Sequence, residues 1–166
     1  MIDNNIQDLS KILPIGGKIT LKCLGKDTNP NHLYLNGKTD TGEVVLSPNT
    51  NSPYSGTHWE VVKLSADSVS FKCLNTDGNP KYVYLDGRTG NGTVGLAPNT
   101  DSYYSGTHWS VEIFSDGSIA FKCLGTDVNQ DHVYLNGGTL DGNVGLAPNT
   151  DSPYSGTHWD VGILTS

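Results

Sequence analysis

Long apolar runs are missing from this chain of 166 residues, and basic side chains are scarce. No stretch approaches the roughly 20 consecutive apolar residues that a membrane-crossing helix needs. The opening segment MIDNNIQDLSKILPIGG has no basic stretch followed by an apolar one. The expected location is therefore cytoplasmic, or outside the cell by a route without a recognisable signal peptide. Ten Lys and Arg stand against seventeen Asp and Glu, a formal net charge of −7. That sign disfavours nucleic acid and anionic bilayers, which attract basic surfaces, so neither a nucleic-acid partner nor membrane insertion is expected. Cysteine is also sparse. Cys23, Cys73 and Cys123 are odd in number, so they cannot all pair within the chain. Each falls in an alternating strand pattern, where a small buried apolar group fits better than a metal or redox trio.

Repetition is what the chain has in plenty. YSGTHW spans Tyr54–Trp59, Tyr104–Trp109 and Tyr154–Trp159; KCL recurs at 22, 72 and 122, and PNT at 48, 98 and 148. The chain divides into copies 18–67, 68–117 and 118–166 after an extension, 1–17. About 50 residues is small for a free-standing unit without disulfides or metal, so the copies are expected to share one core as a single domain, 1–166.

Helical periodicity is absent beyond the first dozen residues, and each copy reads as four short strands. In the middle copy VSFKCL places Val69, Phe71 and Cys73 inward. YVYLDG points Val83 and Leu85 the same way, TVGLAP points Val94 and Leu96, and THWSVEIF sets Trp109, Val111 and Ile113 on one face. The fold class is all-β. A three-unit solenoid would expose both ends, and three blades are too few for a propeller. The expected architecture is a β-trefoil of three 50-residue, four-stranded repeats, with a β-prism as the alternative.

The last strand of each copy opens with Thr57-His58-Trp59, Thr107-His108-Trp109 or Thr157-His158-Trp159. Period, strand order and this motif resemble the β-trefoil lectin superfamily and, within it, the ricin-B-type repeat, which carries Gln-x-Trp at that place. The resemblance implies carbohydrate binding without a cofactor. It does not extend to that family's sugar site. The aromatic platform position falls near Ser47, Ala97 and Ala147, and Thr replaces the Gln.

Candidate ligand contacts therefore come from the residues themselves. A sugar needs an aromatic face for its C–H side and fixed donors and acceptors for its hydroxyls. The third loops supply Tyr54, Tyr104 and Tyr154 beside Asn49, Asn99 and Asn149. The second strands supply Tyr34, Tyr84 and Tyr134, outward-facing. The first loops carry Asp27, Asp77 and Asp127 with Asn29, Asn79 and Asn129, and His58, His108 and His158 face away from the core. The same Asn, Ser and Gly residues also serve a tight loop that satisfies its own backbone. Paired carboxylates in one cleft are missing, and adjacent Thr and His on a strand point to opposite faces, so no catalysis is expected. Nor is a metal. The leading expectation is a lectin with up to three equivalent shallow sites for glycans or glycoconjugates, engaging several at once. The alternative is a protein-interaction or inhibitor module. An engineered symmetric scaffold is disfavoured by scattered differences such as Tyr103 against Pro53 and Pro153.

Overall fold

Alternating side chains in VSFKC become β5 (Val69–Cys73), which buries Val69, Phe71 and Cys73 and also Ser70. The computed structural model describes residues 13–25, 29–75, 79–126 and 129–164. The first copy gives β1 (Lys18–Cys23), β2 (Tyr34–Lys38), β3 (Glu43–Ser47) and β4 (Trp59–Lys63). The second adds β6 (Tyr84–Arg88), β7 (Thr93–Ala97) and β8 (Trp109–Ile113) to β5. The third gives β9 (Ile119–Cys123), β10 (Tyr134–Gly137), β11 (Val144–Ala147) and β12 (Trp159–Leu164). Four strands per copy, in the expected places, are therefore present.

Their pairing is not the expected one. The last strand of a copy pairs chiefly with the first strand of the next: β4 with β5 from Trp59↔Cys73 to Lys63↔Val69, and β8 with β9 from Trp109↔Cys123 to Ile113↔Ile119. The same antiparallel register joins the two ends of the chain, β12 to β1, from Cys23↔Trp159 to Lys18↔Leu164. Within a copy, β1 and β2 meet only at Lys22↔Tyr34. A closed circuit of ten antiparallel strands runs β1–β4–β5–β8–β9–β10–β11–β7–β3–β2 and back to β1. β6 and β12 lie off it, each paired to two of its members. The expected β-trefoil of three four-stranded repeats, and the β-prism alternative, are thus corrected to one closed antiparallel β-barrel. The reason is physical: a strand's alternation says which face is apolar, while its partner is whichever edge closes the sheet and leaves no backbone groups unpaired.

One apolar cluster fills the interior. Trp59, Trp109 and Trp159 are fully buried with Phe71, Phe121 and Leu35, Leu85 and Leu135. Each indole N–H donates to a carbonyl of its own copy's second strand: Trp59 to Leu35 O (3.0 Å), Trp109 to Leu85 O (3.1 Å) and Trp159 to Leu135 O (3.1 Å). A buried donor left unpaired would cost about 1–3 kcal/mol, so these bonds help set the tryptophan rotamer. The cysteines are free and buried, and burial pushes each thiol up to about 11. Their sulfurs lie against glycine: a Cβ on Gly87 would sit 2.7 Å from Cys123 Sγ, so only glycine permits this approach. Ile113 departs from its expected inward place and is 36% exposed, because β5 meets β8 only at Val69↔Trp109 and Ile113 runs past that neighbour.

Candidate functional site

The invariant third loop is assembled by its own hydrogen bonds. Asn49, Asn99 and Asn149 each accept, through Oδ1, the backbone N–H two residues on, at 2.9, 3.0 and 2.9 Å. These are Asx-turns, which satisfy the backbone locally. A short 3-10 turn follows, Ser55–Thr57 in the first copy, and the buried Thr57 hydroxyl donates to Tyr54 O at 2.7 Å; Thr107 and Thr157 do the same to Tyr104 O and Tyr154 O. His58 Nε2 donates to Thr50 O (3.1 Å), His108 to Thr100 O (2.9 Å) and His158 to Thr150 O (3.0 Å). A Cβ on Gly56, Gly106 or Gly156 would run into the carbonyl of Gly37, Gly87 or Gly137. Loop geometry alone therefore accounts for the constant Asn, Gly, Thr, His and Trp of each copy.

Above these anchors lie open grooves that no single copy supplies. In the first, Thr50, Ser52, Pro53, Ser55 and His58 face Leu74 and Asn75 of the next copy around a volume of about 520 Å³. Its counterpart sets Thr150, Ser152, Pro153, Ser155 and His158 against Leu24, across the junction of chain ends, around about 460 Å³. Both linings combine hydroxyls and an imidazole edge with apolar Pro and Leu walls.

The second groove carries an extra acid. Ser118 donates through Oγ (2.6 Å) and backbone N–H (2.9 Å) to Asp116 Oδ1, and these bonds, with His158 nearby, hold that carboxyl below the usual range. Ser118 Oγ lies 3.4 Å from His158 Nδ1, and the imidazole stacks on Phe114 with centroids 4.3 Å apart. The Ser118 hydroxyl donates to the carboxylate, so Ser118 and His158 do not form an activated serine–imidazole pair.

A separate hollow of about 280 Å³ lies in the middle copy, where Asp86 and Arg88 on β6 meet Asn91, Tyr103, Tyr104 and Ser105. Of the expected tyrosines Tyr54, Tyr104 and Tyr154, Tyr104 lies in it, and neither Tyr54 nor Tyr154 lines the two grooves. Tyr34, Tyr84 and Tyr134 are half-buried and stand apart from all three concavities. Tyr134 Oη donates to Glu112 Oε2 at 2.8 Å, and burial, then that carboxylate, pushes its phenol up to about 12. Asn29, Asn79 and Asn129 make Asx-turns to Asn31, Lys81 and Asp131, again a structural duty. Asp27, Asp77 and Asp127 lie outside the described residues.

Sequence reasoning misses the contacts that cross copies. His32, Tyr82 and His132 rest against Gly142, Gly42 and Gly92, whose φ values are +83°, +84° and +83°, and His32 and His132 hydrogen bond to Thr139 O and Thr89 O. Their common register, two residues before the second strand of each copy, is the signal that points to them. It also misses Leu24 and Leu74, which follow the KC pair and read as strand ends. Among the described residues, no group of three or more His, Cys, Asp or Glu is placed to hold a metal, and no helix is long and apolar enough to cross a membrane. Comparison with known proteins adds no relative: no family model and no curated protein matches the chain.

Proposed function

We propose that this protein is a lectin: a carbohydrate-binding protein that engages glycans or glycoconjugates at several sites and performs no chemistry on them. The observation that carries this reading is the groove repeated in the first and third copies. Its two versions share Thr, Ser, Pro, Ser, His and Leu at matching places. A pyranose offers hydroxyls on its rim and C–H groups on its faces. Hydroxyl side chains beside proline and leucine walls suit both. Shallow open sites of this kind bind weakly one at a time, and two on one rigid barrel gain by joint engagement of a branched or clustered glycan.

The test is binding of fluorescently labelled protein to a broad glycan array, beside a variant in which exposed Ser52 and Ser152 are both changed to Arg to fill the grooves. Selective binding is expected, falling by about 100-fold in the double variant and by an intermediate amount in either single variant, as loss of one arm of a bivalent contact requires. Binding that survives in the folded double variant would remove the grooves from the reading. Silence of the unaltered protein across the array would overturn the lectin itself and point to a protein partner.

A further inference from the structure

We infer that the middle copy carries a sugar site of a different class, in which Asp86 and Arg88 together hold a neighbouring pair of hydroxyls of a neutral pyranose while Tyr103 covers its C–H face. This rests on reading the chain as a lectin and adds to it a site, its residues and its charge preference.

Three features set this hollow apart from the corresponding places in the other copies. Asp86 stands where the first and third copies have Asn36 and Asn136, Arg88 where they have Lys38 and Gly138, and Tyr103 where they have Pro53 and Pro153. Asp86 is buried, with its side chain only 11% exposed, and its one charged neighbour among the described residues is Arg88, whose Nε lies 3.9 Å from Oδ2. Among the described residues no hydrogen-bond donor is directed at this carboxylate. A buried carboxylate without donors is costly, and hydroxyl groups of a ligand would supply them.

Charge decides the ligand class. Arg88 already offsets Asp86, so neither an ammonium nor a second carboxylate finds a net opposite charge in the hollow. A pair of hydroxyls, one donating to the carboxylate and one accepting from the guanidinium, matches both partners. The Arg88 guanidinium lies across Gly95, close enough that a Cβ there would sit 2.8 Å from Nη2, so the small residue leaves it room beside the acid. Tyr103 is 86% exposed and holds an edge-on contact with Tyr104, centroids 4.9 Å apart. An exposed ring beside a buried carboxylate is the pairing of apolar face and acceptor that a sugar requires.

The full chain, labelled with nitrogen-15, would be titrated with methyl glycosides of galactose, mannose and glucose, and with glucosamine and glucuronate as charged probes. The amides of Gly87, Ser105 and Gly106 report on the hollow. At least one neutral glycoside is expected to shift them, with both charged probes weaker. Asp86→Asn should weaken that binding about tenfold or more, as loss of a charge-assisted hydrogen bond does. Tyr103→Pro should weaken it about threefold or more. Both variants install residues that the other copies already carry, so the fold is expected to persist. Preference for glucosamine or glucuronate would overturn the inference, as would an unchanged affinity in Asp86→Asn, or no shift at these amides with any probe. Should the array respond while these amides stay silent, this site fails and the groove reading stands. Silence in both experiments removes both.

Discussion

The third loops of the first and second copies share nearly every buried anchor and differ on the surface. In both, a threonine hydroxyl closes on the tyrosine carbonyl at 2.7 Å, a histidine ties the loop back to a threonine carbonyl, and a tryptophan donates to a leucine carbonyl. Yet the first copy opens a groove between Pro53, His58 and Leu74, while the second offers a hollow between Asp86 and Tyr103. Shared anchoring hydrogen bonds therefore permit different chemistry. The string YSGTHW holds the frame, and the residues free to change beside it decide what the frame presents.

The sharpest way to break the shared part is to remove a tryptophan. Trp59→Ala and Trp109→Ala should each cost about 3–5 kcal/mol, from lost ring burial, the cavity left and an orphaned carbonyl. Urea unfolding should find the two costs alike, since both rings are fully buried and equally bonded. Next comes Gly106→Ala, where the new methyl would run into the Gly87 carbonyl and force the loop away from β6. Overpacking of this kind costs about 1–3 kcal/mol, and the same change at Gly56 should match it.

Smaller effects separate the copies. Burial raises the Asp86 carboxyl above its ordinary 3.8, with Arg88 opposing. A raised acid binds its proton more tightly when folded, so its cost to stability is absent at low pH and grows as pH rises through the folded value. Asp86→Asn should therefore raise the melting temperature at pH 7, and its advantage should shrink as pH falls towards 3.8. The smallest effect concerns the thiols. All three should resist alkylation at pH 8 in the native protein and react on unfolding, because burial holds them near 11. Asp86 contributes to the rise at Cys123 alone among them.

Strand positions were legible because apolar alternation is local: Phe71, Leu85, Leu96 and Trp109 are all buried where the pattern places them. The candidate site was legible only in part. Histidines and loop serines do reach the grooves, but Asn49 and its equivalents spend their side-chain oxygens on the loop backbone. Tyr134 gives its hydroxyl to Glu112, from the neighbouring copy. No spacing rule announces such partners, since each depends on which side chain another segment brings near.

Period, strand number and most of the inward positions followed from the amino-acid sequence itself, because steric and hydrophobic preferences act over a few adjacent residues. Tertiary structure alone decided that β12 would return to β1 and that Leu24 would complete a groove begun at Thr150. Those outcomes depend on closing a sheet over residues more than a hundred positions apart, where backbone hydrogen bonds and a single shared core select the partner.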